Sequence, residues 1–530
     1  MDMKISTFEN RLKCYRELNK RNKDFVNIDL YKLVFKEDAL VAGYEKIKSK
    51  NGATTPGIGS FSLDGFKRLR KLSSSLRNES WKPLPARRVY IPNPGKSEKR
   101  PLAIQGPEEK VVQAVMLLIL ESIYEPIFLK TSFGFRPKLG THDALKVIGQ
   151  KYDGMTFAIE GNIKGMYDNV NHNILVKLLE KRIQDDRFIR LVRKMLGAGY
   201  LEVGKQLIRP DLGTPQGSII SPILANIYLH ELDLFMSDRV LDLTQRNEKS
   251  RTPSYRDIDN RMRVVKSRLK EGKFSDKSRD EYLKERKYLN FSSLRVRMYC
   301  NPCDRIFYTR YADDFIVGFA GSEELANQVK EQIRTFLTTL DLVLSPEKSK
   351  VTNLRKSYAF FLGHRIRIDT AVKIAMVRPK GKTPYLNYLK RVTGSLVSIE
   401  APINRIVQRL AVKGFCDHKG FPTHKKLWVS QDDHQIIQNF NATIRGIFGY
   451  YSGANKRHYL QRIWYLLRFS CAYTLAARHG CSLNKVYSKH GKLLRVNYGV
   501  SGEKSVSLFE PSLRKAGRKW QTGRVLEDPS

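Results

Sequence analysis

The sequence predicts an α+β protein in which a mixed strand-and-helix unit is followed by an all-helical one. Three observations point there. Before residue 368, short runs with period-two apolar alternation are interleaved with stripes at helical spacing. A stretch rich in Lys, Pro and Gly near 368–384 interrupts that pattern. Beyond it, the apolar stripes are helical. At 530 residues the chain is too long for one core, so several domains are expected. Its 95 Lys and Arg against 53 Asp and Glu leave a formal charge of +42, spread along the chain, which calls for a polyanionic partner such as nucleic acid. No apolar run approaches the roughly 18 residues of a spanning helix, so a membrane is not expected as partner. Six cysteines do not make a disulfide framework. Cys300 and Cys303 form one CxxC; a turn with buried thiols is the simpler reading, and zinc with Cys416/His418 or His479/Cys481 is the alternative.

In chain order, residues 1–50 read as a basic helical extension, with Leu30, Leu33, Val34, Leu40, Val41 and Tyr44 at helical spacing. Asn51–Gly65 is a Gly/Pro/Thr-rich loop. Arg87–Pro92 and Lys99–Ile104 flank the turn Asn93-Pro94-Gly95-Lys96, a hairpin with cationic flanks. Lys110–Tyr124 is an apolar helix. Phe133–Pro137 is an aromatic-basic loop carrying Arg136. Thr156–Ile163 is a strand, and a helix begins at His172. The Gly/Pro loop Leu212–Ser218 runs into the apolar helix Ile219–Leu232. Residues 236–297 are dense in both charge signs and poor in core residues, a solvent-exposed, partly helical insertion. Strand, turn and strand follow at 307–319, then a helix over Ser322–Leu340, a turn at Ser345–Lys348 and a strand pair around Phe360–His364. In the C-terminal unit, Ile436, Phe440, Ile444, Ile447 and Tyr451 form one stripe, and Leu460, Ile463, Trp464, Leu467, Cys471, Thr474, Leu475 and Arg478 make the face of the next helix. Arg445, Lys456, Arg457, Arg462, Arg468 and Arg478 decorate the other faces and are candidate RNA contacts. Residues 501–530 form a basic tail.

The chemistry centres on Tyr311-Ala312-Asp313-Asp314. Adjacent strand residues face opposite ways, so only a tight turn presents both carboxylates to one cation. Two acids held together repel, which a divalent metal between them relieves. An ordinary polar turn between strands is the alternative reading.

Taken together and in order, these blocks resemble the proteins encoded within group II introns, a reverse transcriptase joined to a maturase domain. The resemblance is carried by Gly52–Gly57, Ile91-Pro92 through Arg100-Pro101-Leu102, Gly134–Pro137, Gly161–His172, Gly213-Thr214-Pro215-Gln216-Gly217 through Asn226, Tyr311–Asp314, Leu344–Lys348 and Phe361-Leu362-Gly363. In the C-terminal region it is carried by Arg445-Gly446, Tyr450-Tyr451-Ser452, Asn455 and Ser470–Ala476. It implies right-hand fingers and palm over 51–367, with 236–297 inserted. A helical thumb and maturase domain over 375–500 follows, with no endonuclease domain after it. It implies that Asp313 and Asp314 bind Mg²⁺, and that Arg100, Lys96, Lys99, Tyr167, Gln216, Gly217 and Lys348 surround the nucleotide, Tyr167 as the aromatic that excludes a ribose 2′-hydroxyl.

Two departures matter. The family places its first metal-binding Asp where this chain has Asn162, and a hairpin Lys where it has Asn93. An amide oxygen can ligate a metal but brings no charge, so a weakened Mg²⁺ site is expected, with Mn²⁺ as a candidate substitute. Glu160, two residues earlier on the same strand face, is the acid that could take the missing place, while Asp168 resembles the family's second, structural acid. The expected function is therefore a maturase that binds structured intron RNA and promotes its splicing, with reverse transcription impaired. An active RNA-directed DNA polymerase supporting intron mobility, with a DNA target as second partner, is the alternative. With no targeting segment and a long insertion, the resemblance points to the mitochondrion, with a bacterial cytoplasm or plastid as alternatives.

Overall fold

The computed structural model describes residues 7–48, 55–58, 66–91, 99–202, 207–208, 211–245, 252–272, 278–296, 305–377, 388–499, 503–512 and 520–523. The central sheet has four antiparallel strands in the order Arg305–Tyr311, Asp314–Ala320, Phe157–Asn162, Lys350–Asn353. Both faces are covered, and alternate residues feed two cores: Phe157, Ile159, Ile306 and Tyr308 enter one, Ala158 and Ile316 the other. Helices Ser221–Gln245 and Glu323–Thr339 contribute Tyr228, Leu232, Ile333 and Leu337 to the same core. That core continues into helix Pro107–Tyr124, which opens with Gly106 and Pro107 and carries Glu108 and Glu109 in its first turn, where the helix dipole favours negative charge. The N-terminal helices Thr7–Arg21 and Glu37–Lys48 pack against it through Phe8, Tyr15 and Leu40.

A second sheet runs Arg100–Ile104, Ala86–Ile91, Tyr200–Leu201, Leu207–Ile208. It is stitched to the Gly/Pro loop by the Ala103 amide, which donates to the Gln216 carbonyl at 2.7 Å. Gly217, at φ +102°, makes this approach possible: a Cβ there would lie 2.8 Å from Leu102 Cδ1 and 2.9 Å from the Ala103 carbonyl. The hairpin tip with Asn93 and Lys96 lies outside the described residues.

The region read as a boundary is built differently from expectation. His364–Val377 and Tyr388–Glu400 form a long antiparallel hairpin in register from Arg365↔Glu400 to Val377↔Tyr388, extended by Ala359–Phe361. Ile366, Ile368, Val397 and Ile399 are buried, so an alternating apolar face is present. Arg365 and Arg367 at the intervening positions of the first strand mask it, and the Pro/Gly signal belongs to the stretch between the strands. The C-terminal unit is therefore not all-helical; it also carries a small hairpin, Val496–Tyr498 with Lys504–Val506. Helices Ile403–Val412, Asp433–Tyr450, Gln461–His479 and Leu483–His490 form its core, with Ile436, Phe440, Ile444, Ile463, Leu467 and Cys471 fully buried.

Aromatic residues lock the two units together. Tyr450 and Tyr451 hydroxyls donate to the Leu362 and Gly363 carbonyls. His142 Nε2 is 2.6 Å from the Tyr450 carbonyl, and the Gln521 amide donates to His142 Nδ1 at 2.9 Å. Of the insertion at 236–297, the first residues continue helix Ser221–Gln245, and the described remainder holds helices Pro253–Glu271 and Arg279–Arg295, the latter opened by a Ser278–Glu281 capping box. They bury a small cluster of their own, Met262, Val265, Tyr282 and Leu289. Among the described residues, no helix is long and apolar enough to cross a membrane.

Candidate functional site

The turn at Tyr311–Asp314 is the tip of the hairpin between the first two strands of the central sheet. Ala312 sits at φ 55°, a conformation that side chains other than Gly rarely take, so its surroundings must hold it. Two contacts do so. Gly134 closes against its backbone; a Cβ on Gly134 would lie 2.3 Å from the Ala312 amide nitrogen. Arg310 Nη1 donates to the Ala312 carbonyl at 3.1 Å.

Arg310 is the residue that sequence reasoning missed. It and Asp233 are both 0% exposed. Its guanidinium donates from Nε to Asp233 Oδ1 at 2.7 Å and from Nη2 to Oδ2 at 2.6 Å. It also donates to Asn226 Oδ1 at 3.0 Å and to Ser132 Oγ at 2.8 Å. With the Ala312 carbonyl, these acceptors occupy all five N–H donors. Tyr308 adds its hydroxyl to Asp233 at 3.0 Å, and Asn226 donates onward to the Gly134 carbonyl. Burial opposes the arginine's charge, but the Asp233 carboxylate outweighs it and the pKa is raised. Two periodicities carried the signal: Ile306, Tyr308 and Arg310 share one strand face, and Asn226, His230 and Asp233 share one helix face.

The register of the sheet decides what meets the carboxylates. Asn162 lies opposite Asp314. Its amide nitrogen donates to Asp314 Oδ1, and its oxygen accepts from Lys348 Nζ at 3.3 Å. Burial, reinforced by the neighbouring Asp313 charge, pushes the Asp314 carboxyl up to about 6. Burial also raises Asp313, against the cations Lys348, Arg100 and Arg310. Both acids are thus short of positive charge, which suits a divalent cation held by Asp313 and Asp314. The third position fits one less well: the amide presents its donor side to Asp314. Among the described residues, no set of three His, Cys, Asp or Glu side chains is placed to hold a metal. Glu160 does not fill the gap. Its carboxylate accepts from Thr352 Oγ1 at 2.6 Å and from the Phe360 amide at 2.8 Å. Asp168 is exposed and accepts from Gln216 Nε2 at 3.1 Å.

The expected nucleotide-side residues converge in part. Arg100 donates to Gln216 Oε1 at 3.1 Å, so Arg100, Gln216 and Asp168 form one chain. Burial, then the Asp313 charge, raises the Tyr167 pKa, so its hydroxyl keeps its proton. Lys99 and Lys348 are exposed; Lys96 lies outside the described residues, as do Cys300 and Cys303. The expected RNA contacts divide more sharply. Arg136 is 9% exposed, with its guanidinium on Glu125 at 3.0 Å and on the Leu129 and Ser132 carbonyls. It clamps its own loop rather than facing RNA, because the loop turns it inward onto those acceptors. Lys456 bridges to Glu400 at 2.7 Å, tying the long hairpin to the helical unit. Arg478 pairs with Asp432 and Asp433. Arg445 stacks on Phe509 and Arg468 on Trp464 and Phe469, while Arg457 donates to the Ser512 carbonyl. Arg445 and Arg462 are exposed.

Comparison with known proteins gives the chain a family. Residues 91–257 match the family described as reverse transcriptase (RNA-dependent DNA polymerase), and residues 394–513 match type II intron maturase. The chain is 35% identical over 483 residues to the group II intron-encoded protein LtrA of Lactococcus lactis subsp. cremoris, covering 89% of this chain and 78% of that protein. It is 32% identical over 504 residues to the putative COX1/OXI3 intron 1 protein of Saccharomyces cerevisiae, covering 93% of this chain and 58% of that one. It is 29% identical over 441 residues to the uncharacterized mitochondrial protein ymf11 of Marchantia polymorpha, covering 74% and 57%.

Proposed function

The chain belongs to the group II intron-encoded proteins that join a reverse-transcriptase domain to a maturase domain, and from that premise we propose that it works chiefly as a maturase, with DNA synthesis impaired. It binds structured intron RNA through its positive charge and stabilises the fold in which the RNA splices itself. The observation that carries the impairment is the contact at the palm edge. There an amide, not a carboxylate, faces Asp314, and its other atom accepts from Lys348. Nucleotidyl transfer needs charge on both the attacking and the leaving oxygen, which divalent cations supply. In this chain Asp313 and Asp314 would hold such a cation, with Arg100 and Gln216 beside the nucleotide and Tyr167 beneath its sugar. One formal negative charge is missing from that set.

Active reverse transcription in support of intron mobility, with a DNA target as further partner, is the second reading. Asp313 and Asp314, both raised in pKa and so receptive to a cation, favour it. Splicing of a precursor RNA at low Mg²⁺, run beside primer extension on an RNA template with Mg²⁺ or Mn²⁺, separates the two. The maturase reading expects protein-dependent splicing and weak cDNA synthesis. Robust cDNA synthesis by the unaltered chain, or splicing indifferent to the protein, overturns it. For location we propose a mitochondrion, supported by the long insertion and by the mitochondrial relative.

A further inference from the structure

Gln216 and Asp168 also border a cavity whose other walls, Arg88, Tyr200, Leu212 and Thr214 among them, carry no role above. It has a volume of about 180 Å³ and sits between the second sheet and the Gly/Pro loop. Arg88 and Tyr200 form one wall, the guanidinium 4.0 Å above the ring. Leu212, 46% exposed, and the exposed Asp168 stand at its edge, so it opens to the surface. Thr214 lines it and is 2% exposed, yet among the described residues its hydroxyl has no hydrogen-bond partner. Its backbone amide is used, on the Tyr167 carbonyl at 2.6 Å. The Gln216 amide is spent on Arg100 and Asp168. A buried hydroxyl without a partner is costly, so Thr214 is poised for a polar group that enters the cavity.

We infer that this cavity takes one unstacked nucleobase of a bound RNA strand. Cavities of about 150 Å³ hold a benzene ring, so this one admits a planar ring of base size. The Arg88–Tyr200 wall is a stacking surface, and single-stranded RNA is bound by splaying bases onto such surfaces. The Thr214 hydroxyl both donates and accepts, so it can meet a base edge of either polarity. The inference rests on the RNA-holding reading above and specifies it: one strand is gripped by a base at the fingers as well as by its phosphates.

The test uses the full chain and an oligouridine of about ten nucleotides with a single abasic position walked along it. For the unaltered protein, one abasic position weakens binding about tenfold and the others have little effect. In Thr214→Val and in Leu212→Trp, which fills the mouth, that position loses its penalty. The salt dependence of binding stays unchanged, because no phosphate contact is lost. Removing an unpartnered buried hydroxyl leaves the Thr214→Val melting temperature equal or higher, which separates the effect from misfolding. Free uridine in excess is the second arm. Equal penalties at all positions, a penalty that survives both substitutions, or occupancy by free uridine with no positional effect in the strand each overturn the inference. If the unaltered chain binds RNA in a salt-dependent way but shows no special position, the cavity inference alone fails. If it binds no RNA, the maturase reading fails with it.

Discussion

The two faces of the Tyr311–Asp314 turn are built to different standards. Beneath it, Arg310, Asp233, Asn226, Ser132 and Tyr308 form a closed network in which every guanidinium proton has an acceptor. At the edge of the same turn, Asp313 and Asp314 face an amide and a lysine where the family carries a third acid. The comparison teaches that the shape of the palm and its charge inventory are separable. The turn is held by the Arg310–Asp233 brace and by Gly134, neither of which involves a metal ion, so the hairpin keeps its form whatever the edge can catalyse.

That separation can be broken from either side. The largest effect is expected from Arg310→Met, which strands Asp233 without a partner in the core. Breaking a buried pair costs about 3–5 kcal/mol. Chemical denaturation should show that loss, and RNA binding should fall with it. If Arg310→Met melts like the parent, the brace does not hold the turn. Asn162→Asp acts on the edge alone: primer extension with Mg²⁺ should rise by about 10²–10³, the scale of one electrostatic contribution to a transition state. Splicing support should be unaltered, and an equal change in both assays would mean that the two faces are coupled. Gly134→Ala pushes a methyl against Ala312 and should cost about 1–3 kcal/mol as an overpacked contact. It should also lower whatever polymerase activity Asn162→Asp restores, because the carboxylates move with the turn.

Two pH effects of opposite sign sharpen the same contrast at smaller amplitude. Asp314 titrates near 6 when folded, above its ordinary unfolded value near 3.9. Between those values the folded state binds the extra proton, so in the absence of metal its contribution to stability improves as pH falls. Comparing Asp314→Asn with the parent from pH 7 to pH 4 isolates it, since the variant lacks this gain. His142 behaves the other way. It is fully buried, and burial holds its pKa below the usual histidine value, against the Tyr450 carbonyl and Asp143. Its Nδ1 accepts the Gln521 amide, so a proton there sets donor against donor. Its contribution is present above about pH 6.5 and is lost as pH falls below it, where the unfolded chain takes up the proton first. Limited proteolysis near the junction should therefore accelerate in mild acid, and His142→Gln should remove that acceleration.

Much of this architecture is legible in the sequence. The strands at 156–163 and 307–319, the turn between the latter pair and the apolar stripes of the C-terminal helices rest on local periodicity, and local periodicity survives in a linear string. Arg136 and Arg310 were harder. Arginine is rarely buried, yet Arg310 meets the Asp233 carboxylate from a helix far away in sequence, and Arg136 turns inward onto Glu125 of its own neighbourhood. The hairpin from 364 to 400 was misread for a related reason. Its first strand alternates apolar with basic residues at Arg365–Ile368, and the Lys, Pro and Gly residues between the two strands give the whole stretch the composition of a linker until the partner strand is known.

Residue types and short-range order settled the family resemblance, the charge of +42 and the absence of an acid at position 162. Only tertiary structure could say that Asn162 lies opposite Asp314 with its donor toward the carboxylate, that Glu160 is occupied elsewhere, and that Thr214 borders an open cavity. Strand register and side-chain pairing between distant segments depend on which face each strand buries and on what the rest of the chain brings against it, and a one-dimensional pattern does not contain that information.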